Sequence, residues 1–393
     1  MDYNQKSQMT LTKAFSIESI VLLVVIAGFL TYFAIEMDGL IHFFGTVLNT
    51  SYQLLINTAL YIMAIAVVTG AFAGLMTEFG LVALLNNGLT KFMKPLFNLP
   101  GAAALGVITT YLSDNPAILT LTKESGFRKY FKKYQLPALT NLGTAFGMGL
   151  IVSTFMLTQG TVSGPGSFGL AVLIGNVGAI IGSIISVRLM LFFTKKKYGA
   201  TEDPTNLRDA PYDILKYREV RVGNVFKRTL DSLLHGGKTG VELGLAIIPG
   251  ILIISTFVLM LTNGPGDLGY TGAAFEGTAL LPAIAGHLNF IIQPLFGFSS
   301  PEAIAFPIAS IGSVGASLSL VPEMLSNGLI GAKDIAVFTA MGMCFSGYLS
   351  THVAMMDTLG FHEMTGKAIL SHTIGGLVAG ISANLLFTLI LLF

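Results

Sequence analysis

Asp114 and Asn115 interrupt an otherwise apolar stretch, 101–122, within the run Ser113-Asp114-Asn115-Pro116. An ionisable side chain inside a hydrophobic segment is costly and is by default a functional candidate. With the carbonyls freed beside Pro116, Asp114 and Asn115 can hold Na⁺ or exchange a proton. The same Asp-Asn-Pro run also suits the cap of a following helix. A second interrupted stretch, 300–322, carries Pro301, Pro307, Gly312, Gly315 and Pro322. Its Ser313, Ser317 and Ser319 offer small polar walls to a ligand, although small residues also simply pack membrane helices. Glu323 closes this stretch, and Glu302 lies near its start.

A third group falls in 344–353, C-F-S-G-Y-L-S-T-H-V. Phe345, Ser346, Tyr348, Ser350, Thr351 and His352 supply donors and an aromatic face for a small polar ligand, and Thr351 is also a candidate for ion coupling. His352 can titrate near neutrality or be hydrogen-bonded within the bundle. Met341, Met343, Cys344, Met355 and Met356 invite a soft-metal reading, against which stands methionine's ordinary role as core filler. Arg188 is expected to snorkel or to pair within the bundle. There is no nucleophile–base constellation, phosphate loop or metalloprotease motif, so enzyme activity is not expected.

The elements that carry these residues belong to a membrane. Of 393 residues, 53% are hydrophobic and 11% charged, whereas a soluble chain is about a quarter charged. Net charge is +1, which gives no attraction to nucleic acid. The lone Cys344 excludes a disulfide framework. Apolar blocks of spanning length fall near 19–36, 53–78, 137–159, 167–194, 239–262, 336–358 and 368–393. The two interrupted stretches read as re-entrant hairpins, with a kinked full span as the alternative, because breakers at membrane depth need protein or a water-filled cavity around them. A shorter segment precedes each hairpin, 84–98 and 278–297, and is expected to lie along the interface. The expectation is therefore an all-α integral membrane fold of about seven spans, two hairpins and two interfacial helices. Placing the N-terminus in the cytoplasm and the C-terminus outside puts 20 of the 22 basic residues on the cytoplasmic side, as the positive-inside rule requires.

The chain also aligns with itself. An offset of 199 pairs Pro95-Leu96-Phe97 with Pro294-Leu295-Phe296, Ala117 with Ala316, Glu124 with Glu323, and Phe146 with Phe345. An offset of 200 then pairs Met156, Thr158 and Gly160 with Met356, Thr358 and Gly360. Each unit holds three crossings, an odd number, so the second copy must insert upside down. The expected layout is a cytoplasmic segment 1–18, an extra span and external loop 19–52, repeat 1 at 53–194, a cytoplasmic linker 195–237 and an inverted repeat 2 at 238–393. Residues 224–236, at the linker's end, read either as a solvated connection or as an amphipathic surface helix. Inverted repeats place a substrate site near the midplane between discontinuous helices.

PLF-x-L-P-G ahead of one hairpin, the 344–353 run and the order of segments resemble the nucleoside-recognition "Gate" superfamily over about 50–393. That group includes concentrative nucleoside transporters, the membrane part of ferrous-iron permeases and spore-maturation membrane proteins. The resemblance implies a secondary transporter of the bacterial inner membrane working by elevator-type alternating access. It implies a nucleoside- or nucleobase-like small-molecule substrate, coupling to Na⁺ or H⁺, no cofactor beyond Na⁺, and a homo-trimer in the lipid bilayer. It leaves open a non-transporting assembly protein or a ferrous-iron permease-like channel. Nucleoside transporters carry Gln-Thr-Glu at the first hairpin tip, where this chain reads Ser113-Asp114-Asn115. At the second tip they carry Asn-Glu, and Val321-Pro322-Glu323 is the corresponding place here. A polar, acidic tip is kept, whereas the groups that would recognise a ribose are not.

Overall fold

The computed structural model describes residues 14–114, 116–123, 125–162, 168–204, 213 and 215–390. The fold is all-helical, and among the described residues six helices are long and apolar enough to cross a membrane. The chain is a multi-pass membrane protein.

Helix α1 (Ile17–Glu36) is buried over only 6% of its most apolar window, whereas Lys133–Gly160 is buried over 94%. A helix that is apolar all round and unburied by protein faces lipid, so α1 is peripheral and the 133–160 region is central. Helix α2 (Leu40–Glu78) runs 39 residues with a π-helical turn at Leu54–Ala59. It begins inside the expected external loop, so residues 40–52 are helical. Its counterpart α9 (Val225–Thr262) runs 38 residues, with a π turn at Ile251–Ser255.

The start of α9 revises the reading of 224–236. The Asn224 side chain accepts the Lys227 N–H at 2.9 Å and starts one continuous helix that enters the bundle. It packs antiparallel on α2 through small residues. A Cβ on Gly236 would lie 2.1 Å from the Gly70 carbonyl oxygen, and one on Gly240 would lie 2.3 Å from that of Ala66. Backbones this close need residues without bulk.

The amphipathic α3 (Leu81–Phe97) leads into α4 (Ala103–Leu112) and α5 (Pro116–Lys123). Then follow α6 (Ala138–Phe146), α7 (Gly149–Val162) and α8 (Gly169–Tyr198). The second half repeats this order as α10 (Leu280–His287), α11 (Asn289–Phe296), α12 (Ala305–Gly312), α13 (Val314–Ser326), α14 (Ala332–Cys344), α15 (Tyr348–Leu359) and α16 (Thr365–Ile390). The block 336–358, expected as one span, is two short helices broken at 345–347. Helices α8 and α16 also pack antiparallel, with Gly182 against Gly375 and Gly178 against Ala379.

Backbone detail recurs at the same offset. The left-handed residues Gly80 and Ala279, Asn98 and Gly297, and Met148 and Gly347 form three pairs, each 199 residues apart. Gln135 Oε1 accepts the Lys132 N–H at 2.9 Å ahead of α6, and Asp334 Oδ2 accepts the Gly331 N–H at 2.9 Å ahead of α14. Arg188 Nε donates to the Leu96 carbonyl at 2.6 Å at the end of α3, and Asn384 Nδ2 donates to the Leu295 carbonyl at 3.0 Å at the end of α11. Helix ends leave carbonyls unpaired, and the same carbonyl is met in each half, Leu96 and Leu295, by donors 196 residues apart. Arg188, although exposed, thus pairs with the end of α3.

Candidate functional site

Four interruptions open backbone inside the bundle. At the first tip, α4 stops at Ser113, whose N–H reaches the Thr110 carbonyl at 3.3 Å. Asp114 is half-buried, and its carbonyl accepts the Ala117 N–H at 2.9 Å. Pro116 then occupies the first position of α5, where a missing N–H is harmless. Asn115 lies outside the described residues. Ser113 borders a cavity of about 340 Å³ that Thr77, Thr109, Arg221, His235 and Thr239 also line.

At the second tip a single extended residue, Ser313 (φ −164°, ψ 130°), separates α12 from α13. Its carbonyl accepts the Ser317 N–H at 3.1 Å, and its side chain lies against Gly250, just ahead of the π turn of α9. The expected second tip at Val321-Pro322-Glu323 is corrected by this geometry. Those residues lie inside α13, which continues through Pro322. Glu323 sits two turns or more beyond the break, toward the end of α13. Ser317 is buried, and its hydroxyl turns back to the Val314 carbonyl at 2.9 Å.

The two broken helices part at left-handed residues, Met148 (φ 55°) between α6 and α7 and Gly347 (φ 59°) between α14 and α15. Around the second break Phe345, Ser346, Tyr348 and His352 are buried together. His352 Nδ1 meets the Tyr348 carbonyl at 2.6 Å. A carbonyl only accepts, so Nδ1 carries the hydrogen, and no protein group pairs with the buried Nε2. The His352 ring lies 4.7 Å from that of His372. His372 Nε2 donates to the Cys344 carbonyl, and its Nδ1 accepts from the Ser186 hydroxyl at 2.9 Å. Ser186 in turn accepts from Asn141 Nδ2 at 3.0 Å. The result is one directed chain, Asn141 to Ser186 to His372 to the backbone of the broken helix. Tyr348 also shares a hydrogen bond with Thr373.

The structure therefore brings together Phe345, Ser346, Tyr348 and His352 and leaves other candidates elsewhere. Phe146 lines a separate, largely apolar cavity of about 680 Å³ with Tyr111, Asn176 and Met343. Thr351 is half-buried, and the Ser350 side chain lies outside the described residues. The methionines around His352 pack the core, with Met356 Sδ accepting from Thr140 at 3.4 Å. Sequence reading missed His372, Asn141 and Ser186. His372 and Asn141 each carried a signal, a polar side chain inside an apolar span.

Glu323 stands at a different place, beside the 263–279 loop and outside the six long apolar helices. Asn263 Nδ2 donates to Oε1 at 2.7 Å and also to the Phe275 carbonyl at 2.8 Å. No protein group pairs with the buried Oε2. Burial pushes this carboxyl up to about 7, opposed by the Asn263 hydrogen bond. One cavity of about 410 Å³, lined also by Glu276 and Glu302, reaches Glu323 from the loop side. Another of about 430 Å³, lined by Gln53, Asn57, Thr58 and Ser319, reaches it from the π turn of α2.

Glu276 shows the opposite balance. It is buried, but Thr271 donates through its N–H at 3.1 Å and its hydroxyl at 2.7 Å, and the Gly272 N–H donates at 2.9 Å. Burial pushes the carboxyl up, and these donors more than reverse that, holding it below the ordinary carboxylate value. The loop is pinned to α2 by the Phe275 N–H on Thr50 Oγ1 at 2.9 Å and by Asn49 Nδ2 on the Gly272 carbonyl at 2.7 Å.

No family model matches the chain. An uncharacterized protein of Alkalihalophilus pseudofirmus is 33% identical over 91 residues, which are 22% of this chain and 19% of that protein. The match thus spans about a fifth of the relative's length. Among solved structures, CNTnw in an inward-facing substrate-bound state aligns with TM-score 0.54 at 15% identity, covering 95% of this chain and 87% of that one. A doubly substituted CNTnw in an outward-facing state gives 0.52 at 15% identity over 95% and 88%. A CNTnw variant in an intermediate state gives 0.53 at 16% identity over 95% and 86%. The chain shares the membrane fold of these structures across nearly its whole length.

Proposed function

We propose that this protein is a secondary transporter of a small polar metabolite, built from two inverted repeats and working by elevator-type alternating access. The observation that carries the reading is the antiparallel packing of equivalent helices, α2 on α9 and α8 on α16, with left-handed breaks 199 residues apart. Two copies of one unit facing opposite ways make inward-open and outward-open arrangements similar in energy, and such folds hold substrate between discontinuous helices. The likeness to CNTnw, a nucleoside transporter seen inward-facing, intermediate and outward-facing, supports the same cycle here.

In this reading 53–194 and 238–393 are the repeats, and 101–122 and 300–322 are re-entrant hairpins whose tips, Asp114 and Ser313, reach toward the two broken helices. Phe345, Ser346, Tyr348, Thr351 and His352 face the substrate, with His352 Nε2 as an acceptor for a ligand N–H or O–H. Asp114 and Asn115 hold the coupling cation, Na⁺ or H⁺. A nucleobase-like ring suits the aromatic edge of Phe345 and Tyr348, whose centroids lie 5.1 Å apart. The N-terminus and the basic linker lie in the cytoplasm.

The test is thermal stabilisation of the purified protein by nucleosides, nucleobases, amino acids and small acids, with Na⁺ or K⁺ and at two pH values. A ligand that binds only the folded state raises apparent stability. A hit lost in Tyr348→Phe or Asp114→Asn supports the site and names its substrate class. A flat response from folded protein overturns the reading.

A further inference from the structure

We propose that Glu323 is a proton-binding site at the base of the second hairpin, taking up and releasing one proton at Oε2 between two cavities. A buried carboxylate oxygen with no donor carries a desolvation cost that falls sharply when the group is protonated. Oε1 is held by Asn263 at 2.7 Å, which leaves Oε2 as the oxygen that no protein group satisfies.

The charges around it point the same way. From the 263–279 loop comes Glu276 and from the 301–304 turn comes Glu302, both acidic, while Gln53, Asn57 and Thr58 of α2 are neutral. No Lys, Arg or His lines either cavity. Burial is what favours the uncharged acid, and with no basic partner among the described residues of these linings a proton from solution is left to neutralise the carboxyl.

The placement gives the proton a path. The two cavities, about 410 and about 430 Å³, share Phe275, Glu323 and Asn327 as their common wall. A hydronium ion of one cavity can give a proton to the carboxyl and leave as water, and the carboxyl can return it to a water of the other, with no bond made or broken except O–H. Under the transporter reading, on which this consequence rests, the Glu323 proton is then a coupling ion additional to the cation at Asp114. Proton binding itself needs no substrate.

The experiment is an infrared pH titration of the full-length protein in detergent, without added solute, read at the protonated-carboxyl C=O band between about pH 5 and about pH 9. Wild type is expected to lose one carboxyl band with a midpoint near 7, and Glu323→Gln is expected to lack that step. Should Glu323→Gln fail to fold, Asn263→Ala serves instead. It removes the donor that favours the charged form and must move the midpoint upward. A step that persists in Glu323→Gln, or a midpoint unmoved in Asn263→Ala, overturns the proposal. So does a midpoint that NaCl lowers and KCl does not, since the site would then take Na⁺. A clear titration beside a flat solute panel keeps the site and discards the transporter; solute binding with no titration does the reverse.

Discussion

The imidazole of His352 lies 4.7 Å from that of His372, and the two rings tie the broken helix α15 to the last helix α16. His372 uses both nitrogens, one on Ser186 and one on the Cys344 carbonyl at the end of α14. Replacing it removes the donor that satisfies that carbonyl at the break. His372→Ala is expected to destabilise the protein by about 2–4 kcal/mol, from a lost buried hydrogen-bond pair and the cavity left behind. Thermal unfolding in detergent measures this; a change below about 0.5 kcal/mol would show that the network does not hold the break.

The α2–α9 crossing sets a second expectation. Gly236→Leu must push the helices apart, because its Cβ would already overlap the Gly70 carbonyl, whereas Gly286 has open space around it. Size-exclusion chromatography should show Gly236→Leu misassembled or aggregated and Gly286→Leu eluting as wild type. Equal behaviour of the two would refute close backbone packing as the basis of the crossing.

Arg188 gives a third. Its guanidinium meets the Leu96 and Pro95 carbonyls at the end of α3. Arg188→Ala leaves those helix-terminal carbonyls without their cationic cap and should cost about 1–2 kcal/mol. Arg188→Lys should recover part of that, because a single ammonium cannot reach both carbonyls with the same geometry. Chemical denaturation of the three proteins checks the order.

Glu276 gives a pH dependence with a definite sign. Its folded value lies below the ordinary 4.5, so the unfolded state binds the proton more readily. The stabilisation is fully present above about pH 4.5, and it disappears as pH falls through the folded value. Relative to wild type, Glu276→Gln should be less stable at neutral pH, with the difference shrinking under acid conditions. A difference that stays constant from neutral to acid pH would assign the effect to packing rather than to charge.

Much of the layout was legible in the residues themselves. Ser113-Asp114-Asn115-Pro116 marks its own break, because proline and short polar side chains act on the backbone within a few residues. The internal alignment at 199 paired Phe146 with Phe345, and the structure places left-handed residues just beyond each, at Met148 and Gly347, a break that the apolar block 336–358 did not show. The second tip was misplaced because Glu323 was matched to the Asn-Glu of nucleoside transporters, which drew the assignment away from Ser313. A proline is tolerated inside α13, while an ordinary serine after Gly312 gives no comparable local sign.

What the chain determined alone is the apolar content that requires a membrane and the approximate places of the long apolar helices, which follow from short-range composition and period. The tertiary structure decided which polar groups meet. His352 and His372 are separated by an entire turn and half a helix of sequence, Ser186 and His372 lie 186 residues apart, and Asn263 reaches Glu323 from a loop 60 residues away. Such pairings depend on how helices pack at a distance, and local propensity carries no information about a partner that only the fold brings near.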